Sequence, residues 1–484
     1  MKICLMCDLH LPFDRNALQY RILEWAIFDI LEKKPDCVIF CGDATCDGNE
    51  EAYDFFIQAV EKTGLPFLYI PGNSDLRSLA SKSRICQRAS KCKHIINGVS
   101  IYAVNDCDGE ISKEQLKLLA DAEDGSIVFM HHPLDSHKQS TTDQLLRWRE
   151  DHKGTTVFYG HLHRSFSHEN SVSLPAMDPD KSIGEPPCIT YYDTATGETC
   201  KSHASASVPT DLSPYFGISC YDPIRQLRFA IDKKLKYIEL RPNCLAYDLN
   251  EIKSLIDLWR KNGGEGLSIH LSDVAWRNGC PCTDEKYDRL IELVSVLHAD
   301  RVTQHVPQVS VKEIAADATV LEKICAYIAE RLNRVPHSIV VGVENMHMTK
   351  NESADDNRRF GYIPEECIAY MQTLAGLCRH RVGVNFDIGH ARNNLPYSKK
   401  YQISTWFSML GKDIVGYHIH QVTFENGVLQ NHMPIQEVYG ELISFASFFQ
   451  CWSMGLINKA PVVFEMRPEN AYEITLETFD RALS

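Results

Sequence analysis

Short apolar runs alternate with longer amphipathic segments along the first part of the chain. The short runs are rich in β-branched and aromatic residues, as buried strands are, and the longer segments repeat their apolar residues with a helical period. Strands are predicted at residues 37–41, 67–70, 99–104 and 127–130, and helices at 16–34, 50–63 and 113–122. This alternation predicts a layered α/β domain.

The pattern changes after residue 163. Residues 171–174 and 188–192 are short strand-like runs, which we interpret as the closing hairpin strands of the first domain. Residues 201–214 are rich in Ser, Ala, Thr and Pro and have no periodicity, which is typical of a linker. We therefore expect a first domain at 1–200 and a second at 215–484.

Eight strand-like runs, separated by amphipathic segments, follow this linker. The strands are predicted at 217–220, 237–240, 267–270, 301–305, 339–344, 382–387, 414–420 and 461–466. The helices are predicted at 224–233, 249–261, 286–298, 320–332, 365–379, 437–451 and 471–482. Eight strands alternating with helices over roughly 270 residues predict a (β/α)8 TIM barrel, in which polar residues at the C-terminal strand ends are usually functional.

Composition fits two globular domains. The chain has 484 residues, of which 44% are hydrophobic, so each domain can build a full core. A formal net charge of −14 disfavours broad, sequence-independent binding to long nucleic acid. No apolar stretch approaches the about 18 residues of a membrane span, and no secretory signal precedes the first strand. With 18 cysteines, several of them inside predicted strands, we expect a reduced, cytoplasmic protein.

Potential metal ligands follow the strands of the first domain. The clusters are Asp8-Leu-His10, Gly42-Asp43, Gly72-Asn73-Ser74-Asp75, His131-His132-Pro133 and Gly160-His161-Leu-His163. Each lies where an apolar run meets turn residues, as expected when a buried strand presents a ligand at its C-terminal end. Asp, Asn and His donors from five strand ends suit two adjacent divalent cations with mixed oxygen and nitrogen coordination.

These motifs, in this order, resemble those of the calcineurin-like metallophosphoesterases over about the first 165 residues. The resemblance implies a four-layer β-sandwich with flanking helices and two divalent metals, with manganese or iron expected. Carried over by position, one metal is bound by Asp8, His10 and His163, the other by Asn73, His131 and His161, and Asp43 bridges them. Such a pair can hold a hydroxide for in-line attack on phosphorus.

Ser74 is a departure from this family pattern. Most members have a histidine there, which is thought to assist the leaving group, and a serine hydroxyl is no general acid near neutral pH. A metal, a water or a nearby residue such as His132 must then assist. Branches that lack this histidine resemble phosphodiesterases more than monoesterases. We therefore predict diester hydrolysis, with Asp43, Asn73 and His132 as the catalytic residues.

The predicted barrel strands also end in potential ligands. They are Glu239, His270, His305, Glu344, Asp387 with His390, His420 and Glu465. The segments Val-Glu344-Asn, Phe-Asp387-Ile-Gly-His390, His418-Ile-His420 and Phe-Glu465-Met-Arg-Pro resemble the endonuclease IV and xylose isomerase-like superfamily. By that resemblance, Glu344, Asp387, His420 and Glu465 match the core metal site of sugar isomerases and epimerases.

Four further histidines match the endonuclease IV branch, which holds three zinc ions. They are His270, His305, His390 and His432. Gln430 stands where that branch has an Asp, so two to three metals, with zinc expected, are predicted for the barrel. His418 and His420 share one face of a regular strand. By register with the family His420 is the ligand, and His418 is expected to be a packing residue.

Arg241 and Arg467 follow strand-end glutamates. They could bind a substrate phosphate as bidentate donors, or they could form salt bridges with those glutamates.

The sequence therefore predicts a two-domain metalloenzyme. The first domain is a phosphodiesterase of a small molecule or nucleotide, and the barrel is a second metal-dependent hydrolase, with no membrane partner. Two alternatives are open. Both domains could cut nucleic acid in repair or end processing, or the barrel could be an isomerase or epimerase of a phosphorylated sugar. A barrel that serves only as a scaffold is least favoured, because most of the ligands are present.

Overall fold

The computed structural model describes residues 1–90, 92–349, 352, 354–355, 357–425 and 428–483. The chain folds into two compact units. Unit 1 comprises Met1–Ser207 and Glu437–Gln450, and unit 2 comprises Val208–Gln436 and Cys451–Ser484. Among the described residues, no helix combines the length and the apolar character that a membrane crossing requires.

Unit 1 is built on two sheets. Its strands are β1 (Lys2–Met6), β2 (Cys37–Cys41), β3 (Phe67–Ile70), β4 (Lys93–Ile96), β5 (Val99–Ala103), β6 (Ile127–Met130), β7 (Thr156–Tyr159), β8 (Phe166–His168), β9 (Ser171–Ser173), β10 (Cys188–Asp193) and β11 (Glu198–His203). The five-stranded sheet has the order β11-β10-β1-β2-β3 and the six-stranded sheet has the order β4-β5-β6-β7-β9-β8. Parallel pairing of β1 with β2 and of β6 with β7 brings the ends of these strands to common edges.

Helices cover both sheets of unit 1. They are α1 (Leu18–Lys33), α2 (Glu50–Glu61), α3 (Leu79–Arg88), α4 (Lys113–Leu119) and α5 (Gln139–Asp151). One apolar core joins the facing sheets and includes Leu5 and Val128. A second core lies between the five-stranded sheet and the first two helices and includes Val38 and Phe56. The predicted sandwich with flanking helices is confirmed.

The two predicted closing strands of unit 1 are present, and each lies in a hairpin with a neighbouring strand, but they do not pair with each other. β9 pairs with β7 and β8 in the six-stranded sheet, whereas β10 pairs with β1 and β11 in the other. A hairpin needs a loop of about two to five residues, and a much longer segment joins these two strands. β11 also extends to His203, opposite Cys188, so the chain is still a strand at the start of the predicted linker.

Unit 2 contains a closed barrel. Its strands are β12 (Phe216–Cys220), β13 (Tyr237–Leu240), β14 (Gly266–His270), β15 (Val274–Arg277), β16 (Cys280–Thr283), β17 (Arg301–His305), β18 (Val340–Glu344), β19 (Arg381–Asp387), β20 (Ile414–Ile419), β21 (Gln421–Glu425), β22 (Val428–Met433) and β23 (Val462–Phe464). The barrel has the order β12-β13-β14-β17-β18-β19-β20-β23, and these are the eight predicted strands. The predicted (β/α)8 barrel is confirmed, and β15-β16 and β21-β22 form two hairpins outside it.

One predicted helix of the C-terminal half is shorter than expected. The helices after residue 208 are α6 (Pro223–Asp232), α7 (Leu249–Lys261), α8 (Lys286–Val296), α9 (Val311–Ala316), α10 (Thr319–Leu332), α11 (Pro364–Leu377), α12 (Ile388–Arg392), α13 (Ile403–Leu410), α14 (Ala446–Ser453) and α15 (Ala471–Leu483). The helix predicted at 437–451 is observed only from Ala446. A turn, in which Gly440 N–H donates to the carbonyl of Ile443, occupies its first half.

Candidate metal centres

The seven predicted ligands of unit 1 lie together beyond the strand ends. Asp8, His10 and His163 form one group, whose ligand atoms all lie within 4.8 Å of one another. In a second group, Oδ1 of Asn73 lies 3.1 Å from Nε2 of His131 and 3.0 Å from Nδ1 of His161.

Asp43 lies between these two groups. Its Oδ2 is 3.1 Å from Nε2 of His10 in the first group and 3.5 Å from Nε2 of His131 in the second. This position is the one required of a carboxylate that is shared by two cations. The spacing of the donor atoms is also that of ligands around common ions, since metal–ligand bonds of about 2.0–2.2 Å bring neighbouring donors to roughly 3 Å.

The backbone is strained at these ligands. Asp8, His10, Asp43, His161 and His163 have φ angles of 51°, 50°, 60°, 68° and 56°. Non-glycine residues rarely adopt this left-handed region, and such strain is concentrated at functional sites. The neighbouring Gly72 is required for a steric reason. A methyl group at this position would overlap the Asp43 carboxylate.

The electrostatics of unit 1 suit cations. Burial opposes ionisation of Asp43, but His131 and His10 hold the pKa of its carboxyl well below the usual value. Burial also opposes the charged form of His131, yet Asp43, Asp8 and Asp106 raise its pKa to about 9. Oδ1 of Asp8 is buried and has no hydrogen-bond partner among the described residues. An ionised, orphaned carboxylate oxygen beside imidazoles fits a divalent cation.

Ser74 holds Asp43 in place. Its main-chain N–H donates to Oδ1 of Asp43 at 2.7 Å, and its hydroxyl donates to Oδ2 at 2.9 Å. Ser74 therefore supports the carboxylate that is predicted to bridge the two metals.

Asp106 contacts the predicted ligands of this site, and the sequence analysis did not single it out. This fully buried carboxylate accepts hydrogen bonds from the main-chain N–H groups of His131 and His132, at 2.9 and 2.8 Å. It also lies 3.0 Å from Nε2 of His137 and 3.4 Å from Nδ1 of His132. The ring of His132 is 4.5 Å from that of His161. Asp106 follows the strand predicted at 99–104, so its position at a strand end was the available signal.

Asp178 is a second residue that was missed. Its Oδ2 lies 3.4 Å from Nδ1 of His10, and its Oδ1 accepts a hydrogen bond from Gln19 at 2.9 Å. When a histidine binds a metal through one ring nitrogen, a carboxylate at the other nitrogen fixes the orientation and the tautomer of the ring. The sequence carries no signal for this role, because Asp178 lies in an aperiodic segment.

The predicted barrel ligands meet at the C-terminal ends of the barrel strands. Nε2 of His270 and Nε2 of His305 lie 3.1 and 3.6 Å from Oε2 of Glu344. Nε2 of His420 lies 3.3 Å from Oδ1 of Asp387. A methyl group on Gly389, just after Asp387, would overlap the ring of His420, which explains the small residue in this motif.

Three histidines extend this site. His390, His420 and His432 are buried, and their ligand nitrogens all lie within 4.8 Å of one another. Nδ1 of His432 is 3.5 Å from Oε1 of Glu465, and Nδ1 of His390 is 3.5 Å from Oε1 of Glu344. The predicted barrel ligands therefore surround one buried region.

The barrel site also fits metal ions. Its buried atoms without a hydrogen-bond partner among the described residues are Oε1 of Glu344, Oδ2 of Asp387, Nε2 of His420 and Oε2 of Glu465. The charged neighbours of these atoms are other predicted ligands and His418, so a cation that they share would satisfy them together. The donor set of carboxylates and imidazoles suits zinc.

His418, expected to be a packing residue, has charged neighbours. Its Nδ1 lies 2.9 Å from Oε2 of Glu465 and 3.3 Å from Oε1 of Glu344. Burial alone would lower the pKa of His418, but Glu239, Glu344 and Glu465 raise it well above the usual value. His418 therefore neutralises the carboxylates beneath the ligands.

The two predicted substrate-binding arginines differ. Arg241 is mostly buried, lies 3.0 Å from Oε1 of Glu465 and 3.8 Å from Oε1 of Glu239, and packs over the ring of Tyr221. The salt bridges that were one of the two interpretations are present. Arg467 is exposed, and its main-chain N–H donates to the carbonyl of His432 at 3.0 Å.

Asp273 and His347 were also missed in the barrel. Oδ1 of Asp273 lies 2.6 Å from Nδ1 of His305, opposite the nitrogen that faces Glu344. The ring of His347 lies 4.9 Å from that of His390. Both residues stand in loops a few positions after a barrel strand, where functional residues of barrels are found.

Comparisons with known proteins agree with the family resemblance of the N-terminal part of the chain. Residues 1–165 match the family model of the calcineurin-like phosphoesterases. The chain is 26% identical over 196 residues, 35% of this chain and 74% of the relative, to a protein of Pseudoalteromonas sp. (strain SM9913) described as a probable cyclic nucleotide phosphodiesterase. It is 24% identical over 209 residues, 36% of this chain and 83% of the relative, to a protein of Xenorhabdus bovienii with the same description.

Similar solved structures cover each half of the chain. A D-tagatose 3-epimerase-like protein covers 56% of this chain and 97% of its own, with 18% identity and a TM-score of 0.39. A dimetal phosphatase from Danio rerio covers 40% of this chain and 92% of its own, with 12% identity and a TM-score of 0.31. The barrel itself is established by its closed sheet of eight parallel strands. Residues 1–165 are thus a calcineurin-like phosphoesterase domain, joined in one chain to a (β/α)8 barrel.

Proposed function

We propose that unit 1 is a metal-dependent phosphodiesterase that hydrolyses a small-molecule or nucleotide phosphodiester. The observation that carries this proposal is the position of Asp43 between the two ligand groups. Asp8, His10 and His163 would hold one cation, Asn73, His131 and His161 the other, and Asp43 both. Two such cations, with manganese or iron expected, supply Lewis-acid activation of the phosphoryl group and of water.

The diester preference is supported by the surroundings of Ser74. Its hydroxyl is committed to Asp43, so no side-chain acid stands at the position where most family members have a histidine. The description of the two relatives as cyclic nucleotide phosphodiesterases points the same way. His132, whose ring lies beside that of His161 and whose backbone is held by Asp106, is the group that assists the leaving oxygen.

A pair of chromogenic substrates tests this function. We expect kcat/KM for bis-p-nitrophenyl phosphate to exceed that for p-nitrophenyl phosphate by at least about tenfold in the manganese-loaded protein. Asp43→Asn should abolish both activities, and Glu344→Ala, which changes only the barrel site, should leave both unchanged. Comparable kcat/KM values on the two substrates would contradict the diester assignment.

The barrel is proposed to be a second metal-dependent hydrolase, which holds two to three zinc ions and acts on a moiety linked to the same substrate. The observation in its favour is that His270, His305, His390 and His432 supplement the four core ligands around one buried region. The metal contents of the Glu344→Ala and Asp43→Asn variants, compared by elemental analysis, test this assignment. The first variant should lose barrel zinc only, and the second should lose unit 1 metal only.

A nucleic-acid repair or end-processing nuclease is the second candidate. The same four histidines favour it, whereas the net charge of −14 does not. An assay for cleavage of a duplex with an abasic site, with the wild type and with Glu344→Ala, distinguishes this nuclease from the small-molecule phosphodiesterase. Absence of cleavage by both proteins would remove this candidate. A sugar-phosphate isomerase or epimerase needs only the core ligands, so a third zinc equivalent in the barrel would count against it.

A further inference from the structure

A segment from late in the chain belongs to the phosphoesterase unit. Residues Glu437–Gln450 come between β22 and β23 in the sequence, but they fold as part of unit 1. There they lie against the loop of residues 178–184. The hydroxyl oxygens of Ser444 and Ser182 are 3.1 Å apart, and both residues are 1% exposed. The main-chain N–H of Gly184 donates to the carbonyl of Tyr439 at 2.8 Å.

This loop in turn holds the ligands of one cation. Its Asp178 lies on the outer nitrogen of His10, and the main-chain N–H of Asp178 donates to the carbonyl of Asp8 at 2.9 Å. The main-chain N–H of Ile183 donates to the carbonyl of His163 at 3.1 Å. Asp8, His10 and His163 are the three ligands predicted for the first cation, and the loop touches all three.

The ligands of the other cation have different supports. Nδ1 of His131 lies 2.9 Å from the carbonyl oxygen of Cys41, and Asp106 accepts the main-chain N–H of the same histidine. A disturbance of the 178–184 loop should therefore weaken one cation more than the other.

We infer that Ser444 and Tyr439 are positioning residues for the first cation of the phosphoesterase centre. The inference rests on the metal centre proposed above. Ser444 fixes Ser182, and the main-chain N–H of Ser182 donates to the carbonyl of Asp178 at 2.9 Å. Tyr439 adds its carbonyl at Gly184, and its hydroxyl donates to the carbonyl of Ala206 at 2.9 Å. The orientation of His10 thus depends on residues encoded far from it.

Manganese binding to the full chain tests this inference. The measurement uses metal-free protein that carries His161→Ala and Glu344→Ala. These two changes weaken the second cation site and the barrel site, so that the first cation site can be titrated by calorimetry. We expect Ser444→Ala and Ser182→Ala each to weaken Mn²⁺ binding about three- to tenfold, the effect of losing one buried hydrogen bond. The double variant should be no weaker than either single one, because both remove the same contact.

Matched variants define the contrast. Ser447→Ala removes another fully buried serine of the same segment and should leave Mn²⁺ affinity unchanged. Asp178→Asn, which acts directly on His10, should weaken binding about 10- to 100-fold. Ser444→Thr keeps the hydroxyl and should retain most of the affinity. If Ser444→Ala does not fold, Tyr439→Phe, which removes only a hydroxyl, takes its place.

A second readout needs no bound metal. In the metal-free protein, the amides of residues 182–184 should exchange with deuterium faster in Ser444→Ala than in Ser447→Ala. Equal Mn²⁺ affinity and equal exchange in these two variants would overturn this inference without contradicting the proposed phosphodiesterase function. A wild type that binds no Mn²⁺ in unit 1 would overturn the proposed metal centre as well, so the two failures are distinguishable.

Discussion

Nε2 of His418 lies 3.0 Å from Oε1 of Glu239 inside the barrel, and both side chains are buried. Glu239 also accepts hydrogen bonds from the hydroxyls of Ser268 and Thr303, at 3.0 and 2.6 Å. With its other nitrogen beside Glu465, His418 links the second barrel strand to the predicted ligands above it. The barrel site thus has a charged layer beneath it.

Removal of this imidazole should destabilise the barrel. His418→Leu leaves Glu239, Glu344 and Glu465 without their buried cation, and breaking such a pair costs about 3–5 kcal/mol. We expect a fall of that size in the free energy of unfolding of the metal-free barrel, measured by urea denaturation. His337→Gln, which alters a histidine elsewhere in unit 2, is the control. A loss below about 1 kcal/mol would show that His418 is a simple packing residue.

His132→Ala should slow hydrolysis in a way that depends on the leaving group. A p-nitrophenolate ion leaves without protonation, so its diester should lose little rate. An alkyl diester needs a proton on the departing oxygen, and general acid catalysis contributes about 10²–10⁴-fold. The kcat ratio of variant to wild type on the two diesters measures this difference. Equal losses on both substrates would place His132 in a structural role.

Metal binding to unit 1 near pH 8 should displace the proton of His131. In the metal-free protein the pKa of His131 is raised to about 9, so its ring is charged there, and a metal ligand must be neutral. Burial lowers the pKa of His10 to about 3 and that of His161 to about 4, so these two rings are already neutral. Apparent affinity should therefore rise as pH increases and level off above about pH 9.

The proton can be counted by calorimetry of Mn²⁺ binding in buffers of different ionisation enthalpy. A barrel-deficient Glu344→Ala protein isolates the unit 1 signal. A binding enthalpy that is independent of the buffer would contradict the expected release from His131.

Asp273→Asn should weaken zinc binding in the barrel. The carboxylate lies 2.6 Å from Nδ1 of His305 and fixes the ring so that Nε2 faces Glu344. Loss of such an outer partner typically costs about 10- to 100-fold in metal affinity. Competition with a chromogenic chelator measures it, and Asp284→Asn, at an exposed loop position, is the matched control. Unchanged zinc affinity in Asp273→Asn would show that Asp273 is not needed to orient His305.

Local patterns predicted most of the two folds. The eight barrel strands follow from apolar runs such as 301–305, and the residue that ends each run, such as Glu344, lies in the site because parallel strands share one edge. Asp106 obeys the same rule, because it follows the predicted strand at 99–104. Asp178 could not be found in this way, because its contact with His10 joins distant segments. The strands at 171–173 and 188–193 belong to different sheets for the same reason, because β10 pairs with the distant β1 whereas β9 pairs with β7.

The placement of Glu437–Gln450 has a consequence for biosynthesis. After Met1–Ser207 has been translated, the ribosome must still translate the intervening part of the barrel before it reaches Glu437–Gln450. That takes on the order of tens of seconds of elongation. During that interval the nascent phosphoesterase lacks the partners of Ser182 and Gly184. At the proposed metal centre, the first cation would be held firmly only after Glu437–Gln450 has been translated.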